Sequence, residues 1–437
     1  MRRWACLGTA TALACLSCGE SADSNGDGGT GGAPPSCFDL VLTPAVLGEP
    51  GRWHWVSDAL PAALFSSPGG LSVAWVAYRF QPEGKTGKYT SEATEQLVLT
   101  TVAPDGAVSH ETYALLPDSA LFPEGEISSV AASPDGTLAV GYGFREAGIW
   151  RQEVALLRAG EGEPFARVKL PTASAADDVG FQTHAAWDGE AFAMHAYGIP
   201  PQFSLFVARV SAEGELLLPF TRYGETVNVG YGPLGHKTAT SPESGRTFVF
   251  DDFALLSGHL RDGARIPGTD GGPKAIVAAN VTWPPSEALA VAAHAAGGWA
   301  SWFVSPGALS PFVPVQPLDL DGNPAGPALV IPAKPNPTES VMGMALLPLG
   351  DALTVFMATQ VDIHRFDFDG SGVGKPVGLL GGADQGDIDI RQMAAVRWNG
   401  EIWLAYHQAS YAIHVRLVKA TPGCVYVAKP PGLPDGT

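Results

Sequence analysis

A glycine-bearing turn recurs along this chain at nearly even spacing, and that spacing restricts the fold more than any other feature. An apolar run, a small turn and a second alternating apolar run appear together as FSSPGGLSVAWVA at Gly70, AASPDGTLAVGYG at Gly136 and AAWDGEAFAMHAY at Gly189. The pattern continues as TSPESGRTFVF at Gly245, AHAAGGWASWF at Gly298, LLPLGDALTVFM at Gly350 and VRWNGEIWLAYH at Gly400. The steps between these glycines are 66, 53, 56, 53, 52 and 50 residues. A period near 50 marks repeated supersecondary units of propeller-blade size. A second turn follows in many units, at Gly106, Gly214, Gly263, Gly322 and Gly370. Asp-Gly and Glu-Gly pairs suit tight hairpins because glycine accepts positive φ.

Each unit therefore reads as strand, turn, strand, longer connection, strand, turn, strand. In the third unit the strands are expected at Phe181–Trp187, Ala191–Tyr197, Leu205–Val210 and Glu215–Phe220. Alternation of apolar and polar residues fits strands with two packed faces of different character. One four-stranded sheet cannot bury both faces alone, but sheets packed in a circle can. The expected fold is all-β: a single seven-bladed β-propeller with four antiparallel strands per blade, with six or eight blades as alternatives. An open stacked solenoid is the competing architecture, and it would leave the ends apart. A closed ring predicts that Phe38–Val46 pairs near the first or last blade.

Composition agrees. Hydrophobic residues make up 46% and charged residues 16% of the 437, so the chain is too apolar for disorder. The 53 glycines and 37 prolines imply many turns and few long helices. The net charge of -18 opposes binding to nucleic acid, whose phosphate backbone needs cations. A monomer kept soluble by its acidic surface is expected.

The first residues form a processing signal, placed at 1–17. Arg2 and Arg3 precede an apolar stretch from Trp4 to Ser17, too short to span a bilayer as a stable helix. Ser17-Cys18-Gly19 resembles the cleavage site of bacterial lipoproteins, in which the cysteine is acylated and becomes the mature N-terminus. Cleavage before Cys15, or ordinary signal cleavage without lipid, are the alternatives. By the same resemblance Gly19, in place of Asp, favours the outer over the inner membrane. Periplasmic or secreted protein is the alternative location. Residues 18–36 hold the lipidation site and a tether with six glycines, whose coil reach is about 23 Å. Residues 37–429 form the propeller, and 430–437 a disordered tail. Of the five cysteines only Cys37 and Cys424 lie in the mature body, at its two ends. In an oxidising compartment they are expected to pair, closing a loop worth about 4–5 kcal/mol by chain entropy.

Ser133-Pro134-Asp135-Gly136 resembles the turns of exported bacterial propellers of the TolB and WD40-like kind. Trp187-Asp188-Gly189 and Trp398-Asn399-Gly400 match a variant of it. The repeated Trp-Asp blade ending of WD40 proteins is missing, so the resemblance carries no WD40 function. By fold analogy the first strand of each blade lines the central channel, and the loop leading into it lies on the ring's upper face. That placement selects His184, His236 and His294 on or just before first strands. It also selects acids in the leading loops: Glu124 and Glu126; Asp177 and Asp178; Asp384, Asp387 and Asp389. Imidazole and carboxylate together suit a divalent cation, against the plainer reading of solvated loop acids and structurally satisfied histidines.

Asp367-Phe368-Asp369-Gly370-Ser371-Gly372 is similar to integrin-type calcium loops, but Lys375 stands where the last acid belongs. A plain hairpin is expected there and at Asp319-Leu320-Asp321-Gly322-Asn323. His195 and His407, flanked by aromatic and apolar residues on second strands, are read as buried structural groups. Gly-x-Ser-x-Gly, His-Glu-x-x-His, phosphate-loop and paired Cys-x-x-Cys signatures do not occur, and the sialidase turn is not repeated. No catalytic residue, metal ligand or cofactor is assigned. The function expected is an envelope-tethered, non-catalytic binding or scaffold module, presenting a loop-built face to a protein, peptide or glycan and touching membrane only through lipid. The alternative is an envelope hydrolase or lyase with a metal or carboxylates at the channel mouth.

Overall fold

The computed structural model describes residues 37–47, 53–56, 63–67, 69–80, 93–117, 120, 125–174, 179–198, 204–225, 237–250, 255–259, 274–275, 289–302, 313–331, 341, 343–350, 352–359, 362–368, 375–382, 389–409 and 413–421. Among these residues the regular elements are strands and one short 3-10 turn, Pro44–Leu47. The leader, Cys15, Cys18, the tether and Cys424 lie outside the described residues.

Six sheets are four-stranded antiparallel blades. Blade 1 runs Gly125–Ala132, Leu138–Glu146, Ile149–Leu157, Ala166–Lys169, and blade 2 runs Val179–Trp187, Phe192–Gly198, Ser204–Val210, Leu216–Glu225. Blade 3 is Lys237–Thr240, Thr247–Phe250, Leu255–His259, Lys274–Ala275, and blade 4 is Leu289–His294, Gly297–Trp302, Val313–Leu318, Leu329–Ile331. Blade 5 is Gly343–Leu349, Ala352–Ala358, Asp362–Phe368, Lys375–Gly382. Blade 6 takes Asp389–Trp398, Glu401–Ala409 and Ile413–Lys419 from the end of the chain and Asp39–Leu42 from its start.

The first repeat departs from the uniform four-strand unit expected of seven equal blades. Its sheet has five strands, because two short ones, Trp53–Val56 and Ala63–Ser67, pair with the two ends of the 11-residue strand Gly70–Phe80. Ala93–Val102 and Val108–Tyr113 complete it. A single partner as long as Gly70–Phe80 is replaced by two segments sharing one edge.

First strands of successive blades touch in chain order. From blade 6 the circuit passes to Ala63–Ser67 of the five-stranded sheet, and from there to blade 1. The repeat glycines sit where this plan needs them, in the turn between first and second strands. In blade 4 the glycine with φ +151° is Gly297, one residue before the position chosen from sequence. A Cβ there would collide with the Leu318 carbonyl oxygen, so a side chain cannot be added without moving the third strand.

Among the described residues no blade has a core of its own. The apolar side chains gather in clusters that each span two neighbours. Leu156, Val168, Phe192, Met194, Phe206 and Phe220 lie between blades 1 and 2. Val315, Ile331, Val355 and Phe368 lie between blades 4 and 5, and Phe356, Leu404 and Tyr406 between blades 5 and 6. Full burial of such side chains contributes about 1.5–3 kcal/mol each. The last and first sheets are joined in the same way, through Leu42, Val73, Trp75, Trp403 and Leu417.

The seam carries a polar clasp as well. Asp39–Leu42 pairs antiparallel with Val415–Val418, narrowing the expected Phe38–Val46 segment to four residues. The Arg416 Nε donates to Asp39 Oδ1 at 3.1 Å, and a second guanidinium nitrogen bonds the other carboxylate oxygen. The Arg416 side chain is 4% exposed and that of Asp39 22%. Burial lowers the Arg416 pKa to about 10, so the cation is held against its desolvation by this partner and by Gln408 at 3.3 Å. Phe38 meets Trp403 edge-on, ring centroids 5.0 Å apart, on the opposite face of the sheet from the ion pair.

Asp39→Ala leaves a buried guanidinium without its carboxylate. A loss of about 3 kcal/mol is expected, with the unfolding midpoint in urea lowered. An unchanged midpoint would show that strand pairing alone closes the ring.

Candidate functional site

The inner strands carry small residues. Between blades 1 and 2, Ser128, Ser129 and Thr183 form a buried knot, with hydroxyl–hydroxyl distances of 3.0 and 3.1 Å. The Thr183 amide donates to Ser128 Oγ at 3.0 Å. Gly141 lies against this knot, and a Cβ there would collide with Thr183 and Met194. Ala131, Ala132, Ala185 and Ala186 continue the two strands toward their turns.

The histidines selected from sequence do not converge where they are described. His184 is partly exposed on the first strand of blade 2, opposite His195 of the second strand. His294 ends the first strand of blade 4, at the turn rather than at the leading loop. Its Nδ1 accepts the Ala296 amide at 3.2 Å, and its ring lies 6.4 Å from Trp299. It serves its own hairpin. His236, Glu124, Asp177, Asp178, Asp384 and Asp387 lie outside the described residues, and Asp389 is described only as the first backbone residue of blade 6. Glu126 is partly buried on the first strand of blade 1. Among the described residues no group of three or more His, Cys, Asp or Glu is placed to hold a metal.

The two calcium-like loops are explained by their own hydrogen bonds. Asp319 Oδ1 accepts the amides of Asp321 and Asn323 at 2.9 and 2.8 Å, closing a tight turn. Asp367 accepts Thr354 Oγ1 at 2.8 Å and both Arg365 donors at 3.0 and 2.8 Å. Asp369 to Gly374 of that second loop lie outside the described residues.

Asp188, noticed in sequence only as part of a turn, is a buried carboxylate. Its Oδ1 accepts the amides of Glu190 and Ala191 at 2.9 and 2.8 Å, and Oδ2 accepts Arg209 Nε at 2.8 Å. It fixes the first hairpin of blade 2 and ties it to the third strand.

A cleft of about 580 Å3 lies between blades 1 and 2, a feature the sequence did not reveal. Around it lie Phe144, Glu146, Ile149–Glu153 and Lys169–Thr172 of blade 1 and the chain after it, with Val179 of blade 2; Trp150, Gln152 and Leu170 share the sheet face turned to blade 2, and Glu146, Arg151, Glu153 and Lys169 the face turned to the five-stranded sheet. The second-strand end Phe144 pairs with Gly125, where blade 1 begins, and Val179 begins blade 2. The cleft thus opens on the face where chain leads into the first strands, directly after Asp177 and Asp178 in sequence. A two-residue hairpin turn, Ala147 and Gly148 with φ of 51° and 83°, shapes its rim. Both positive values match a type I′ turn. Ile149 beside the turn is 56% exposed.

On the face turned to the five-stranded sheet, Glu146, Arg151 and Glu153 are engaged with partners of their own blade. Arg151 Nε donates to Glu146 Oε2 at 3.2 Å. Tyr142 donates to Glu153 Oε2 at 2.7 Å, and burial followed by that carboxylate raises the tyrosine pKa. Lys169 stands opposite Glu153 in the strand register. Arg167 donates to the Tyr142 oxygen at 3.0 Å and the Leu115 carbonyl at 2.7 Å, bracing blade 1 against the preceding sheet.

His195 and His407 are fully buried, in agreement with their reading as core residues. Burial lowers their pKa values to about 4 and about 3; Asp188 partly offsets this for His195, and His414 adds to it for His407. A histidine with a depressed folded value binds fewer protons folded than unfolded below its ordinary 6.5. Stability therefore falls as pH drops from about 6.5 toward 4, by about 1.4 kcal/mol per pH unit for each histidine. Urea midpoints measured at pH 7 and pH 5 should differ accordingly, and His407→Leu should shrink the difference. An equal midpoint at both values would contradict the neutral, buried assignment.

No family model matches the chain, and no curated protein matches it. Among solved structures it is similar to the polysaccharide lyase Uly1, with a TM-score of 0.48 and 12% identity over 82% of this chain and 89% of that one. It is similar to the sialidase of Trypanosoma rangeli, with a TM-score of 0.45 and 9% identity over 89% of this chain and 59% of that one. It is also similar to the allergen Mala s 1 of Malassezia sympodialis, with a TM-score of 0.37 and 12% identity over 82% and 92% of the two chains. The chain spans between 54% and 60% of the length of the sialidases it resembles. At these values none of the activities named transfers to this chain.

Proposed function

We propose that this protein is an envelope-tethered, non-catalytic propeller that binds a ligand on the face where chain leads into its first strands. The observation that carries this reading is the cleft of about 580 Å3 between blades 1 and 2, which opens on that face. The small residues of the inner strands support the same reading, because Ser128, Ser129 and Thr183 spend their hydroxyls on one another. No cofactor enters the proposal, and the working form is a monomer whose ligand is a protein, peptide or glycan.

In this reading the five-stranded sheet acts as a further blade, making a ring of seven, since its two short strands together occupy one innermost position. Cys18, or Cys15, bears lipid, and 18–36 spaces the ring from the outer membrane. Cys37 is disulfide-bonded, and Cys424 is its proposed partner. In support, Phe38 accepts a backbone hydrogen bond from Lys419 at 3.1 Å, five residues before Cys424.

Two experiments test the proposal. Cys18→Ser should move the protein from the membrane to the soluble fraction, and the intact protein incubated with envelope polysaccharides and peptides should generate no new chain ends. Retention on membranes would reject the anchor, and product formation would reject the non-catalytic role. Cys37→Ala should lower the melting temperature under oxidising conditions only; equal melting of variant and parent there would reject the bridge.

A further inference from the structure

Among the described residues, apolar clusters fill the interfaces on both sides of the five-stranded sheet and those between blades 1 and 2, 4 and 5, and 5 and 6. The face that blade 2 turns to blade 3 carries polar groups instead. Thr183, Ala185 and Trp187 of its first strand turn to blade 1, the first through Ser128 and the others through the shared cluster. The alternate residues of the sheet therefore face blade 3. Among them are His184 and His195, directly opposite one another in the register, and Arg209, which bonds Asp188.

Residues directly opposite on antiparallel strands hold their Cβ atoms about 4.5–5.5 Å apart. Two imidazoles so placed can reach one ion at about 2.0–2.1 Å, the usual zinc–nitrogen distance. Burial lowers the His195 pKa to about 4, so its ring is neutral and a ligand at pH 7. The Asp188 carboxylate acts on that ring in the direction that favours positive charge. His184 is partly exposed, which gives an ion a way in.

The first strand of blade 3, Lys237–Thr240, touches the first strand of blade 2. Its Ala239 stands opposite Phe248, whose ring lies against Gly298 of blade 4, so Thr238 turns the other way, toward blade 2. The Thr238 hydroxyl is shut from solvent and bonds no described group. A buried hydroxyl in this state calls for a water molecule to complete it.

We propose that His184 and His195 bind one divalent cation of the zinc or copper class at the interface between blades 2 and 3. Water fills the remaining coordination positions, and Thr238 bonds a coordinated water. Imidazole selects these ions over Ca2+ and Mg2+, which take oxygen ligands. Such a site is independent of the cleft between blades 1 and 2.

Equilibrium dialysis of the intact, untagged protein at pH 7 against Zn2+, Cu2+, Ca2+ and Mg2+ tests it, with bound metal measured by elemental analysis. One equivalent of Zn2+ and of Cu2+ should bind, ten-fold or more tightly than Ca2+ or Mg2+. The Cu2+ form should show splitting from two imidazole nitrogens in its electron paramagnetic resonance spectrum. His184→Ala should weaken binding ten-fold or more and remove one nitrogen from that pattern, whereas His294→Ala should change neither. The proposal is overturned if neither Zn2+ nor Cu2+ binds at one equivalent, if Ca2+ or Mg2+ binds as tightly, or if His184→Ala binds like the parent. The parent spectrum needs no variant: a pattern lacking paired nitrogens overturns the site by itself.

Discussion

Everything in this structure depends on apolar faces that no single blade can hide. The cluster of Leu156, Phe192, Phe206 and Phe220 belongs to blades 1 and 2 jointly, and the cluster of Phe356, Leu404 and Tyr406 to blades 5 and 6 jointly. A blade without neighbours would expose one or both faces to water at about 25 cal/mol per Å2 of apolar surface. Stability is therefore a property of adjacency. The seam between the last blade and the five-stranded sheet matters as much as any other interface, and it is reinforced by a strand borrowed from the opposite end of the sequence.

The repeating unit was legible because its signals are local. Glycines at tight turns and alternating strands fix each hairpin within about a dozen residues, and the strands of the third repeat lie within a few residues of their expected bounds, at Val179–Trp187, Phe192–Gly198, Ser204–Val210 and Leu216–Glu225. The doubled strand of the first repeat was hidden by the same logic. The step from Gly70 to Gly136 is 66 residues against 50–56 elsewhere, a sign of irregularity early in the chain but not of where the additional strand pairs.

The candidate site was less legible, for a physical reason. Which side chains meet across two blades depends on strand register and twist, not on spacing along the chain. His184 and His294 share a strand position in the repeat, yet one lies within a strand and the other caps a turn. Asp188 carried a signal that could have been used. An aspartate before a turn glycine, with an arginine 21 residues on in the third strand, is the pattern of a carboxylate that caps amides and pairs across a sheet. The cleft had no such signature, since Trp150, Gln152 and Leu170 read as ordinary strand residues until the register turns them toward blade 2.

The strand Asp39–Leu42 has a consequence for how the molecule is made. It is the first described strand of the chain, yet its partner, Ile413–Lys419, arrives some 370 residues later. Until then its edge and the matching face of Trp75 and Val73 wait unsealed, while the intervening sheets can stack one upon the next as they emerge. A nascent or truncated chain would be an open arc with a sticky margin at each end, dependent on helpers to avoid joining another copy. Completion is thus a single late event, and damage near residue 416 would leave a nearly finished protein that cannot shut.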